Sequence, residues 1–230
     1  AGEAAGTFGV HRPGGSALNS TQVGSMRAAE HIACTTEPDV SAAEDFLVLA
    51  EQNVSALLES LEKPLASAGG PSNIHERRQA AQKRMSLAAA HIRDVSRMRE
   101  IADEIRAELE IFYDTAKIAS AREIPALLKN RDILVTQLAL LSAMEASARE
   151  AGTRGTCLVL DPDGERISDK LSGFSYCPSK GGFERKILRT RLEKDSFVSA
   201  FEPVRPIPET GGWFENIWNE YRASHARIKF

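Results

Sequence analysis

The sequence predicts a mainly helical protein that ends in a small mixed α+β tail. Three observations support this fold class. Apolar residues recur at three- and four-residue spacing from about residue 41 to about residue 150. A glycine-rich loop at the start of the chain runs into a separate helix. After Gly152 the pattern changes to short apolar runs separated by proline and glycine.

These changes divide the chain into three predicted domains. Residues 1–40 form a loop and a helix, residues 41–152 form a bundle of three or four helices, and residues 153–230 form the small α+β tail. The first helix begins after the loop at Ser16 or Asn19 and runs to about Ala33.

The bundle is predicted from its capping residues and breakers. Ser41 and Glu44 have capping-box spacing, and a second helix opens near residues 72–73. Ile124–Pro125 is either a turn or the first turn of a helix, and a last helix runs over 132–149 until Gly152 stops it. Arginines and a lysine at 77–78 and 83–84 are expected on a solvated face. The expected core positions are Leu49, Leu57, Leu58, Leu87, Ile92, Ile101, Ile105, Leu138 and Leu141.

The tail contains weaker signals. Residues 156–160 and 197–201 are predicted as strands, and residues 161–164 (DPDG) as a turn. The segment 183–194 is compatible with a short helix or with a strand. An aromatic-rich piece at 213–222 is predicted to be a terminal helix.

Composition narrows the class of partner. A net charge of −3 gives no positive footprint for nucleic acid, and no apolar run approaches the ~20 residues needed to cross a bilayer. The three cysteines form no CxxC pair and the helical block contains no Glu-x-x-His pair, so we predict no metal site. Cysteine usage favours a reducing cytoplasm.

The most informative stretch comprises GEAAG at 2–6 and GVHRPGGSAL at 9–18, followed by the first helix. A helix that opens directly after a glycine-rich loop presents backbone N–H groups and a partial positive charge, which suit an anion or an electron-rich carbonyl edge. Arg12 stands in the loop just before this helix. The small residues of the helix allow another backbone to pack closely against it.

This stretch resembles the second flavin-contact segment of the succinate dehydrogenase/fumarate reductase class of flavoproteins. Together with TRG at 153–155 and VRPIP at 204–208, it resembles the related bacterial FAD-dependent oxidoreductases. The resemblance implies that the chain is the C-terminal part of such an enzyme, that its cofactor is FAD and that its substrate is a small molecule. No GxGxxG follows a strand in this chain. The resemblance therefore also implies an N-terminal FAD-binding part as a partner of this segment.

The resemblance also assigns roles to individual residues. Glu3 matches the acid that hydrogen-bonds the ribityl chain of FAD. Gly14 and Gly15, with the backbone of Ser16, Ala17 and Leu18, match the segment along the pyrimidine edge of the isoalloxazine ring. Arg12 matches the arginine that faces substrate, and His11 beside it is either a second catalytic residue or a structural one. The chain departs from the dicarboxylate enzymes at Phe8, where they often carry histidine, and at His11, where they carry asparagine.

Two hypotheses of function follow. In the first, the chain is part of a flavoenzyme that transfers hydride between an organic substrate and flavin. In the second, the helical bundle is a non-enzymatic interaction module and the glycine-rich start is a linker. The sequence of the loop favours the first hypothesis, because a linker does not need RPGGSAL running into a helix of small residues.

Overall fold

The computed structural model describes residues 2–5, 15–35, 43–155, 157–204 and 212–224. The α-helices are α1 (Ser16–Thr35), α2 (Ala43–Ala66), α3 (Ile74–Ala88), α4 (Val95–Glu110), α5 (Phe112–Thr115), α6 (Ile124–Ala151) and α7 (Trp213–Ser224). The strands are β1 (Ile92–Arg93), β2 (Leu158–Arg166), β3 (Ser175–Tyr176), β4 (Lys186–Glu193) and β5 (Ser196–Pro203). Short 3-10 turns lie at Gly2–Ala5, Ala121–Glu123 and Asp169–Leu171. The prediction of a mainly helical protein with a small α+β part near its C-terminal end is confirmed.

The chain divides into two compact units. The first unit comprises residues 1–50 and 205–230 and contains α1, the beginning of α2, and α7. The second unit comprises residues 51–204 and contains the remaining helices and the strands. Helix α2 is continuous across the boundary at residue 50.

Helix α6 is central to the second unit, where it packs against α3, α4 and the β4–β5 hairpin. Leu127, Leu134 and Leu141 recur at seven-residue spacing along α6 and are all buried. This spacing keeps them on one stripe of the helix. The apolar side of α4 faces the same core with four buried residues, Met98, Ile101, Ala102 and Ile105.

Two buried amides fix the register between α3 and α6. The Asn130 side chain donates to the carbonyl of Ile74 over 2.8 Å, and the Gln137 side chain donates to the carbonyl of Ala81 over 2.8 Å. The two donors are seven residues apart, and so are the two acceptors, so the two helices run in the same direction at this contact. The small side chain of Ala81 permits the close approach. The Asn130 oxygen also accepts from Arg78 Nε at 2.8 Å.

The predicted core is partly correct. Three of the expected positions are buried, namely Ile101, Ile105 and Leu141, and Leu138 packs half-buried against them. Four expected positions are wrong because they are exposed: Leu57, Leu58, Leu87 and Ile92. The side chain of Leu49 lies outside what the structure describes. The error in α3 has a physical cause, since its buried positions are Ile74, Ala81 and Ala88, on a face that does not include Leu87.

Gly152 ends α6 as predicted. Its φ of 70° lies in the left-handed region, and its N–H donates to the carbonyl of Ala148 at 3.1 Å. A Cβ at this position would stand 2.2 Å from the carbonyl oxygen of Pro178. Glycine is therefore required here both for the turn and for the close approach of the following chain.

The predicted turn at residues 161–164 lies inside β2. Leu160 and Glu165 both pair with Tyr176 of β3, so the four residues between them bulge out of the ladder. The N–H of Asp163 donates to the carboxylate of Asp161, as in an Asx turn. A Cβ on Gly164 would stand 2.2 Å from the carbonyl oxygen of Tyr176. β1 pairs with β2 in parallel orientation, from Ile92 opposite Leu158.

The segment 183–194, whose sequence is compatible with a helix or a strand, contains the strand β4, which forms an antiparallel hairpin with β5. Glu193 pairs with Ser196, and Lys194 in the two-residue turn has a φ of 56°. The hairpin is tied to α6 by Ser142, whose hydroxyl lies 3.1 Å from the carbonyl oxygen of Phe197 and 2.9 Å from the hydroxyl of Ser199.

Candidate functional site

The first part of the candidate site is the short turn at Gly2–Ala5, which packs against α1. Gly2 has a φ of 69°, and a Cβ on it would stand 3.3 Å from the Cγ2 of Thr21, in the second turn of α1. The backbone of Glu3 directly follows this contact. The side chain of Glu3 lies outside what the structure describes.

The second part is the beginning of α1. The helix begins at Ser16, directly after Gly15, and its first turn carries no acidic residue. Ala17 is half-buried, and the side chain of Leu18 is 75% exposed. The first turn of an α-helix carries N–H groups that the helix itself does not bond, together with a partial positive charge. This end of α1 therefore suits a negatively charged or electron-rich group.

The structure thus brings together two of the segments that sequence analysis assigned to one site. The backbone around Glu3 lies beside α1, and Gly15, Ser16, Ala17 and Leu18 form the beginning of the same helix. The proposed catalytic residues His11 and Arg12, and the cofactor-binding candidate Gly14, lie outside the described residues.

Contacts with α1 hold α7 in the first unit, and the sequence pattern did not predict them. Nδ1 of His31 on α1 lies 2.9 Å from the hydroxyl of Tyr221 on α7, and the Arg27 guanidinium lies 5.4 Å from the ring centre of Trp218. Burial is the main cause that raises the pKa of Tyr221; its neighbours Cys34 and Glu30 add to this effect, and Arg27 opposes it. The aromatic content of 213–222 indicated that this helix is docked, but no sequence pattern named His31 as its partner.

The basic pairs on α3 were predicted on a solvated face, and for the arginines this is wrong. Arg77 and Arg84 both bind the carboxylate of Glu108 on α4, and their side chains are largely buried. Arg77 also lies 4.4 Å from the ring centre of Phe112. These contacts join α3 to α4 and the turn that follows, so their role is structural. Lys83 is exposed as expected.

The described surface of the second unit includes clefts at two places. One, of about 560 Å³, lies between the beginning of α4, the bulge of β2 and the turn at 172–175. Its carboxylates already have structural partners, since Asp94 accepts from the N–H groups of Ser96 and Arg97, and Asp161 accepts from that of Asp163. The other, of about 270 Å³, lies between α4, α6 and Phe197. Within the described part of the chain, no three His, Cys, Asp or Glu side chains are grouped so that they would hold a metal ion.

None of the described helices combines the length and the apolarity that crossing a membrane requires. No protein-family model, no curated protein and no solved structure matches this chain.

Proposed function

We propose that this chain is part of an FAD-dependent oxidoreductase and that the beginning of α1 faces the pyrimidine edge of the flavin. The observation that carries the proposal is the packing of the Gly2–Ala5 turn against α1. The resemblance assigns these two segments to one flavin site, and they lie beside each other in the fold.

The chemistry of this arrangement suits a flavin. Reduced flavin carries negative charge near its pyrimidine edge, so N–H groups and a helix dipole directed at that edge favour the reduced form. The amides of Ala17 and Leu18 would supply these groups, and a carboxylate at Glu3 would accept hydrogen bonds from the ribityl hydroxyls. Arg12 and His11 would act on the substrate side of the ring.

The proposal requires a dinucleotide-binding unit, and no GxGxxG motif occurs in this sequence. We expect the 230-residue chain alone to bind FAD weakly or not at all. The chain extended by its native upstream sequence should bind FAD stoichiometrically, which a fluorescence titration would measure. Tight FAD binding by the chain alone would show that the cofactor site lies elsewhere. An upstream sequence without a strand–GxGxxG–helix unit would overturn the proposal.

A substitution at Leu18 tests the position of the flavin. A glutamate in the first turn of a helix stabilises the helix by about 0.3–1 kcal/mol, so Leu18→Glu should leave the fold intact. The same carboxylate would repel the negative edge of reduced flavin, so the reduction potential of bound flavin should fall. The affinity of the protein for flavin should also drop about tenfold or more. Ser25→Glu adds the same charge at an exposed position in the middle of α1 and serves as the control. Equal effects of the two substitutions would contradict the placement.

The alternative function, a helical interaction module, is favoured by a different observation. Large apolar side chains are exposed along α2 at Phe46, Leu47, Val48, Val54 and Leu58. So many exposed large apolar side chains are unusual on a helix that has no partner. The two functions are compatible, because the flavin proposal uses α1 and the interaction role uses α2.

A further inference from the structure

The part of α2 from Glu51 onward carries one apolar stripe, which is buried at one position and exposed at others. Val54, Leu58, Leu61 and Leu65 follow one another at three- and four-residue spacing, and Leu57 lies beside them. Leu61 is buried in the core of the second unit, with only 4% of its surface exposed. Towards the N-terminal end the same stripe is open, since Val54 is 53% exposed and Leu58 is 58% exposed. On the N-terminal side of Leu61, the stripe therefore continues without cover from the described part of the chain.

This open stretch is not stable by virtue of its own packing. Every residue from Glu51 to Glu59 is exposed. Short helices without tertiary contacts are only marginally stable in water, and most of the stability of a protein helix comes from covering its apolar side. A partner that covers Val54, Leu57 and Leu58 would supply the missing contacts.

The charges beside the stripe indicate the chemistry of that partner. Glu51 and Glu62 are eleven residues apart, which is close to three full turns, so both lie on the side of α2 next to Leu58. Glu59 lies near them on the same side. In the described part of the chain, none of these three glutamates forms an ion pair. The basic residue of this stretch, Lys63, is already paired with Asp114 at 2.6 Å. One flank of the apolar stripe is therefore acidic and uncompensated.

We propose that this surface, the α2 stripe of Val54, Leu57 and Leu58 with its flank of Glu51, Glu59 and Glu62, binds an amphipathic helix of another protein whose apolar side is bordered by lysine or arginine. The mode is helix against helix, in which the apolar side chains provide affinity and the charges select the partner and its orientation. A second copy of α2 fits poorly, because an antiparallel pair would place each acidic flank opposite its own counterpart. An anionic membrane surface would be repelled by the same charges. This inference names the partner for the interaction role of α2 and does not depend on the flavin proposal.

A pair of labelled peptide probes tests the proposal on the whole chain. Each peptide is a helix of about 18 residues, or about five turns, with a leucine stripe flanked by lysine in one and by glutamate in the other. Fluorescence anisotropy should show that the lysine peptide binds at least about tenfold more tightly than the glutamate peptide, which corresponds to about 1.4 kcal/mol. Equal affinity for the two peptides would overturn the role of the charges.

Two sets of variants separate specific binding from general attraction. The double variant Val54→Glu and Leu58→Glu should abolish binding of the lysine peptide. The charge reversal Glu51→Lys and Glu62→Lys should reverse the preference, so that the glutamate peptide binds better. The matched control, Glu104→Lys and Glu110→Lys, makes the same change of net charge at exposed positions on α4 and should leave the preference unchanged.

The remaining outcomes are also informative. All of the substituted positions are exposed, so circular dichroism and thermal unfolding should match the parent chain. If the control pair weakens binding as much as the charge reversal does, the peptide binds through net charge only and the proposal fails. Light scattering without peptide provides the last check. A dimer that is lost in the Val54→Glu, Leu58→Glu variant would identify a second copy as the occupant and overturn the proposal. Binding of that surface to neutral lipid vesicles would overturn it as well.

Discussion

Replacing Asn130 with alanine should destabilise the second unit far more than replacing Gln137 with methionine. Both amides lie on α6, both are buried, and each donates one 2.8 Å hydrogen bond to a carbonyl of α3. They differ at the amide oxygen. That of Asn130 accepts from the Arg78 guanidinium at 2.8 Å, whereas that of Gln137 has no hydrogen-bond partner in the described part of the chain.

The expected magnitudes follow from these contacts. Asn130→Ala removes one neutral hydrogen bond, worth about 1 kcal/mol, and one to a charged group, worth about 1.5–3 kcal/mol. The free energy of unfolding of this variant should therefore fall by about 2.5–4 kcal/mol. Gln137→Met removes one neutral hydrogen bond, which lowers stability. It also removes a buried oxygen without a partner, which raises stability, so the two effects oppose each other. Its free energy of unfolding should change by less than about 1 kcal/mol.

Urea unfolding followed by far-UV circular dichroism measures both variants against the parent chain. The denaturant dependence should stay the same, so that a shift of the midpoint reports stability directly. Arg78 keeps its contact to the Ala126 carbonyl at 3.2 Å, so the side chain should not be released entirely when Asn130 is replaced. Equal losses in the two variants, or a loss below about 1 kcal/mol for Asn130→Ala, would refute the assignment of the difference to the Arg78 contact.

Three further results are expected. Leu134→Ala removes a buried side chain and should lower the free energy of unfolding by about 2–5 kcal/mol. Leu57 is 39% exposed, so Leu57→Ala should lower it by less than half as much in the same urea titration. Gly152→Ala should cost about 1–3 kcal/mol more than Gly155→Ala, because both glycines have positive φ but only the first meets a neighbouring carbonyl; similar losses by thermal unfolding would contradict this. In the flavin-loaded protein that the proposed function requires, Arg12→Ala should lower kcat/KM for flavin reduction by roughly 100-fold. Arg12→Lys should also be impaired, because lysine lacks the planar fork of arginine. Reduction at the parent rate would remove Arg12 from the substrate side.

The sequence predicted the type and order of the elements better than it predicted their packing. Periodic apolar residues reveal a helix, and Gly152 reveals where one ends, because both signals are local. The face that becomes buried depends on the neighbours. Leu57 belongs to a clear apolar stripe, yet it stays 39% exposed. Ala81, by contrast, is buried because its small side chain lets α6 approach.

Polar members of the core were not predictable from the pattern either. Asn130 and Gln137 interrupt the apolar spacing of α6, so they resemble surface positions in the sequence. Their burial becomes favourable only because carbonyls of α3 lie at matching seven-residue intervals. Likewise, Arg77 and Arg84 have the sequence pattern of solvated residues, but both pair with Glu108 on the facing helix. Such partners come from distant parts of the chain, and no local signal identifies them.

At the candidate site too, the local structure could be predicted from the sequence and the tertiary contact could not. The beginning of α1 at Ser16 follows from the glycine-rich loop before it, whereas the packing of Gly2 against Thr21 is a tertiary contact that no spacing predicts. The two proposals can therefore be tested separately. Leu18 belongs to the first unit, and Val54 and Leu58 belong to the second. A charge at Leu18 should change flavin binding and leave peptide binding intact, and charges at Val54 and Leu58 should do the reverse. If either change altered both activities equally, the chain would use one common surface, and the assignment of α1 to flavin and α2 to a partner helix would have to be abandoned.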